Sequence, residues 1–126
     1  MEYSERVKDV IRSGGVAVIG TDTIYGVVGN ALMEDTVMRI YELRNRDKSK
    51  PMIILISSLD DLRVFGIKPN DVERKILEEV WPGKVSVILP FINPKFDYLS
   101  RGMGILALRV PDNEALRHML DEIGPV

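Results

Sequence analysis

The chain has no cysteine and only one histidine and one tryptophan among its 126 residues. Without cysteine there is no disulfide framework, thiolate zinc ribbon or cysteine nucleophile, and a lone histidine leaves serine–histidine chemistry little raw material. It also lacks an excess of either charge: 17 lysines and arginines face 19 aspartates and glutamates, for a formal net charge of −2. No global basic field follows from that balance, which argues against a dedicated DNA-binding protein and leaves any nucleic-acid contact to a local patch. No apolar run approaches the ~20 residues that span a bilayer, so no membrane role is expected. The opening "MEYSERVKDVIRSGG" is charged and amphipathic, unlike a signal peptide. These absences together read as a soluble cytoplasmic protein. Also missing are a Walker-type phosphate loop, a dinucleotide-binding glycine fingerprint, a zinc-protease helix motif and a hydrolase nucleophile elbow.

What is there suits one compact domain over residues 1–126. At 45% apolar residues, a chain of this length buries about two thirds of its unfolded surface. Val7, Val10 and Ile11 recur at helical spacing from Tyr3 to Ser13, and "SGG" follows where a helix stops. "VAVIG" reads as a short buried strand. Glu34 to Arg44 places Val37, Ile40 and Tyr41 on one helix face, and "RDKSK" reads as loop. "PMIILI" has the length of a strand, and Ser58 with Asp61 three residues on predicts a capped short helix. Asn70 and Glu73 form a capping-box pattern ahead of a helix whose Val72, Ile76 and Val80 point one way, and "WPG" ends it. "KVSVILP" and "ILALRV" are further strands, and Asp112 or Asn113 caps a last helix through Ile123. Alternating strands and helices predict an α/β fold.

Three features carry candidate chemistry. In "GTDTIYGVVGNA" an apolar run gives way to Thr21, Asp22, Thr23 and Tyr25 among glycines, where backbone N–H groups and short hydroxyls can approach a ligand closely; the alternative is a polar turn with Tyr25 half buried. In "RIYELRNRDKSKP", Arg39, Arg44, Arg46, Lys48 and Lys50 form a local cationic stretch in an acidic chain. Arg44, Arg46 and Lys50 suit a polyphosphate, and the alternative is a solvated set of bases offsetting the helix dipole. Arg109 ends the apolar strand "ILALRV", where a guanidinium needs either a protein carboxylate or an anionic ligand. His118 and Trp81 read as a surface residue and a core residue respectively.

Taken in order, "TDTIYGVVGNA", "LRNRDKSKPM", "WPGKVSVILP" and "LALRVPD" resemble the YrdC-like family, best known for threonylcarbamoyl-AMP synthases, over nearly the whole chain. The resemblance implies a twisted mixed β-sheet flanked by helices. It implies an enzyme that joins L-threonine, bicarbonate and ATP, accompanied by Mg²⁺, into threonylcarbamoyl-AMP and pyrophosphate. That product serves the threonylcarbamoyladenosine modification of tRNA, with tRNA or a tRNA-modifying transferase complex as partner. Position by position, it implies that Thr23 and Tyr25 shape a threonine pocket and that Arg109 holds the threonine carboxylate. Arg46 and Lys50 face ATP, Arg44 and Arg46 supply charge to the reaction, and Mg²⁺ is held by phosphate oxygens and water rather than by a protein metal site.

Departures from the family pattern accompany the resemblance. Arg44 stands where lysine is usual, Asp47 where proline is, and Ile105 where threonine is common. A Ser-x-Asn nucleotide-binding motif is expected beyond a strand that opens like "GPV", and the 126 residues end at that point. Alternatives of other classes are a non-catalytic RNA- or nucleotide-binding module of the same fold, and the carbamoyl-adenylate chemistry of hydrogenase maturation.

Overall fold

The computed structural model describes residues 3–126. The first helix, α1 (Glu5–Arg12), begins where the Ser4 hydroxyl accepts the Val7 N–H, and it buries Ile11. β1 (Ala17–Gly20) and β2 (Tyr25–Val28) then form an antiparallel hairpin in which Gly20 pairs with Tyr25. The sequence reading placed no strand at 25–28. Tyr25 and Gly26 continue the polar, glycine-bearing motif into that stretch, and only pairing across the hairpin reveals it as β2.

α2 (Glu34–Leu43) buries Thr36, Val37, Ile40 and Tyr41, the face expected from their spacing. It lies hard against the end of β2: a methyl group on Gly29 would meet Thr36 Cγ2 at 2.5 Å, so only glycine lets hairpin and helix approach this closely. After the basic loop, β3 is laddered only at Ile54–Leu55 rather than along all of "PMIILI". The next turn is a 3₁₀ helix, Leu59–Phe65, that ends on left-handed Gly66. Here the expected cap is corrected: the Ser58 side chain makes no cap bond. Instead, the Asp61 carboxylate accepts both the backbone N–H and the hydroxyl of Ser57.

α3 (Asp71–Val80) carries the predicted Asn70–Glu73 capping box. Of its expected apolar face only Val80 packs against the core. Val72 and Ile76 are 70% and 56% exposed, while Leu77 is 2% exposed and docks the helix. Trp81 is buried, and its indole N–H donates to the Val85 carbonyl. β4 (Val87–Pro90), the short α4 (Asp97–Ser100), β5 (Ile105–Arg109) and α5 (Glu114–Ile123) complete the order, with Asn113 capping α5. His118 is exposed on α5, as read from sequence.

The central sheet is mixed. β5 lies between β3, to which it is parallel, and β4, to which it is antiparallel. The helices flank it as expected for an α/β fold. One apolar cluster joins α2, β3, β4, β5 and the Leu59–Phe65 turn through residues such as Tyr41, Phe65 and Leu106. A second joins α1, β1 and α5 through Ile11, Ile19 and Leu116. At the far edge of β3, Leu55 exchanges two backbone hydrogen bonds with Val126, at 2.9 and 3.1 Å, the reciprocal pattern of an antiparallel pair.

Candidate active site

Between the hairpin, α2 and the ends of β3 and β5 lies a cleft of about 410 Å³. α2 lines it with Val37, Ile40, Tyr41 and Arg44, one helical face carried through to the capping residue. The Thr21–Ile24 turn forms one side, and Arg109 reaches in from the end of β5. The opening motif is therefore both of the things its sequence suggested, a polar turn between strands and a cleft wall. Tyr25 is not half buried, however: it lines the cleft and is 78% exposed.

The turn is held by its own hydroxyls. The Thr21 hydroxyl donates to the Ile24 carbonyl at 2.6 Å, which uses its single hydrogen. Thr21 Oγ1 lies 3.1 Å from Thr23 Oγ1, so in that contact Thr23 must be the donor. The Thr23 hydroxyl is exposed and lines the cleft, where it can turn to donate to a ligand or to accept from one.

Arg109 has the opposite character. It is 8% exposed, and its Nη1 donates to Oδ1 of Asp22, whose side chain is 1% exposed. The other carboxylate oxygen, Oδ2, accepts the Asp112 N–H at 3.0 Å. Burial pushes the Asp22 carboxyl up, but the Arg109 hydrogen bond and charge and the Asp112 N–H outweigh it and hold the group below the usual carboxylate value. Asp22 is thus ionised at neutral pH. Among the described residues Nε and Nη2 of Arg109 meet no protein acceptor, and no buried side-chain nitrogen is left without a partner, so these N–H groups open to the cleft. The protein-carboxylate alternative for this arginine is met by Asp22, while the residue also lines the cleft.

Arg46 also lines the cleft, with its guanidinium braced by the carbonyls of Pro51, at 3.0 Å, and Lys50, at 3.5 Å. Arg44 caps α2 and is exposed beside it. Lys50 differs from the sequence expectation in place: its carbonyl accepts from Arg46 and Tyr41, while its exposed side chain is not among the residues lining the cleft. The structure therefore gathers Thr23, Tyr25, Arg44, Arg46 and Arg109 and leaves Lys50 on the loop outside. Val126 lines the same cleft. Among the described residues no group of three or more His, Cys, Asp or Glu side chains is arranged to hold a metal ion, and no helix is long and apolar enough to cross a membrane.

Residues 9–126 match the profile of the Sua5/YciO/YrdC family, described as "Telomere recombination". The chain belongs to this family. A putative threonylcarbamoyl-AMP synthase of Methanocaldococcus jannaschii is 29% identical over 91% of the chain and 54% of its own length. The threonylcarbamoyl-AMP synthase of Pyrococcus abyssi is 30% identical over 88% of the chain and 33% of its own length. The crystal structure of P. abyssi Sua5 complexed with L-threonine superposes with a TM-score of 0.83 at 28% identity, covering 92% of this chain and 34% of that one. This Sua5/YciO/YrdC chain thus spans about a third to a half of the length of those relatives. The resemblance read from the four motifs is confirmed at the level of family and fold.

Asp22 and Tyr41 were given no role from sequence. The signal for Asp22 was present: a carboxylate among hydroxyls at a strand end, and a buried arginine that needed one.

Proposed function

We propose that this domain is the catalytic unit of an L-threonylcarbamoyladenylate synthase, which uses L-threonine, bicarbonate and MgATP. The observation that carries this reading is the division of polar labour in one cleft. Thr23 and Arg109 line the same cleft, a small hydroxyl and a guanidinium able to take the amine and the carboxylate of a free amino acid, and Arg44 and Arg46 line it with them. The relatives named for this synthesis, and the Sua5 structure bearing L-threonine, support the same ligand.

The chemistry needs no side-chain nucleophile. The threonine amine and bicarbonate combine with loss of water to give an N-carboxylate. One oxygen of that carboxylate attacks the α-phosphorus of ATP, and the bond to the bridging oxygen breaks to release pyrophosphate. Such a displacement depends on positioning and on positive charge at the phosphoryl oxygens. Arg109 and Thr23 position the amino acid, and Arg44 and Arg46 provide the charge. The pyrophosphate leaves with Mg²⁺ from the substrate complex, and the adenylate passes to tRNA modification in the cytoplasm.

Pyrophosphate release by the folded chain, assayed with MgATP while L-threonine and bicarbonate are omitted in turn, tests the reading. Release that requires both is expected. Release independent of threonine, or none from a chain that binds no threonine, refutes it; threonine binding without release would favour a non-catalytic binding module.

A further inference from the structure

Arg101 lies 53 positions from Lys48 in sequence and belongs to none of the motifs that define the cleft, yet it is bonded to the basic loop. Its backbone is left-handed, with φ 56° and ψ 30°, at the C-cap of α4. Glycine is the usual residue at such a cap, and a side chain there carries a backbone penalty of about 1 kcal/mol. Gly102, directly after it, would have filled the role without strain. A strained arginine is kept where a glycine is standard, so its side chain is the feature to explain.

That side chain is engaged through two of its three nitrogens. Nε donates to the Lys48 carbonyl, Nη1 approaches Met38 Sδ at 3.3 Å and the Tyr98 carbonyl at 3.5 Å, and the guanidinium lies 5.1 Å from the centre of the Tyr41 ring. Tyr41 in turn donates from its hydroxyl to the Lys50 carbonyl at 2.7 Å, and Arg46 donates to the carbonyls of Lys50 and Pro51. Burial pushes the Tyr41 hydroxyl above its usual value, against the charges of Arg101 and Arg46, so it keeps the proton it donates.

Three donors from outside and inside the loop thus converge on the carbonyls of Lys48, Lys50 and Pro51. The electrostatic consequence is specific. Carbonyl oxygens repel an approaching phosphate, and here they are drawn to protein donors, which leaves the cationic side chains of Arg44 and Arg46 on the cleft to face an anion. Loop ordering before the ligand arrives also removes part of the entropy that binding would otherwise have to supply.

We propose that Arg101 is a positioning residue that clamps the Arg44–Lys50 loop, through Tyr41 and the Lys48 carbonyl, into the form that receives the polyphosphate of a nucleoside triphosphate. This rests on the reading of Arg44 and Arg46, the loop residues that line the cleft, as its ATP-facing wall. The clamp acts on the nucleotide and leaves the amino-acid end, built on Thr23 and Arg109, unchanged.

Arg101→Gly provides the test, because it relieves the left-handed strain while removing the side chain, and so keeps the fold. Amide hydrogen exchange at residues 46–50 is measured beside the affinities for MgATP, tripolyphosphate and L-threonine, with Arg101→Lys as the second variant. The expected result is faster exchange confined to the loop and its contacts, nucleotide and tripolyphosphate affinities weakened about tenfold or more, and an unchanged threonine affinity. Arg101→Lys, which keeps the charge but not the planar fork, is expected to loosen the loop and weaken nucleotide binding to an intermediate degree. Unchanged loop exchange in Arg101→Gly overturns the clamp. So does a loosened loop with unaltered nucleotide affinity, or full nucleotide affinity in Arg101→Lys despite a loosened loop, which would reduce the effect to charge. A parent chain that binds neither ATP nor tripolyphosphate overturns the anion-site reading itself, an outcome distinct from failure of the clamp alone.

Discussion

Replacing Asp22 by alanine is expected to destabilise the fold by about 3 kcal/mol and, through the same contact, to disturb the amino-acid end of the cleft. The magnitude follows from two lost hydrogen bonds. The bond from Arg109 is between ions and is worth about 1.5–3 kcal/mol, and the one from the Asp112 N–H adds about 1 kcal/mol. Breaking a fully buried ion pair costs about 3–5 kcal/mol, and the lower end applies here because the opposite edge of Arg109 opens to the cleft and can be hydrated. Against a total stability of roughly 0.05–0.15 kcal/mol per residue, such a loss is a large fraction of the whole, and it corresponds to a melting point lower by about 10 °C.

The assay is a double-mutant cycle by urea unfolding, with Asp22→Ala, Arg109→Ala and the pair. A coupling energy of about 2 kcal/mol is expected, with unchanged m-values. The pH dependence supplies an independent sign. Because the folded-state carboxyl of Asp22 titrates below its usual value of 3.8, its contribution is fully present above that value and is lost as pH falls through the lower, folded one. The parent should therefore lose stability with acid more steeply than Asp22→Asn, which has nothing to titrate. A coupling below about 0.5 kcal/mol, or equal acid slopes in parent and Asp22→Asn, would refute the reasoning that Asp22 holds Arg109. Arg109→Ala should also raise the threonine requirement in the pyrophosphate assay; an unaltered requirement would make this arginine purely structural.

Arg46→Ala should weaken ATP use severely while costing about 1 kcal/mol of stability, because its bonds reach two backbone carbonyls at a partly exposed site; unchanged kinetics with MgATP would remove it from the site. Leu77→Ala should destabilise by about 2–5 kcal/mol whereas Ile76→Ser should change stability by less than about 0.5 kcal/mol, both read from chemical unfolding. The reverse ranking would return α3 to the orientation expected from sequence.

What was legible in the sequence was short-range. The Asn70–Glu73 capping box, a cap at Asp112 or Asn113 and the inward face of α2 each depend on partners within a few positions, and all three are present, the last helix being capped by Asn113. Periodicity also located a face on α3 but could not aim it. Adjacent helical residues project about 100° apart, so Ile76 and Leu77 exchange solvent and core when the helix is rotated by one position, and packing partners distant in sequence make that choice. β2 was hidden for a related reason: Gly26 interrupts its three strand-favouring residues within a run of turn-type residues, and pairing with β1 settles the strand.

The same division runs through the cleft. The demand for an anion at Arg109 could be read locally, because an arginine ending an apolar strand needs one; that Asp22 meets half of the demand is a tertiary fact, set by two strand ends 87 residues apart. Having its own carboxylate changes what Arg109 can select. A guanidinium already neutralised on one edge attracts distant anions weakly, yet it presents its remaining donors at a fixed angle, so it discriminates by geometry more than by charge. Under the proposed synthase reading, the exposed Thr23 hydroxyl in the same cleft would meet the amine of the amino acid whose carboxylate Arg109 takes, so selection would rest on two groups of one small molecule rather than on the charge of Arg109 alone.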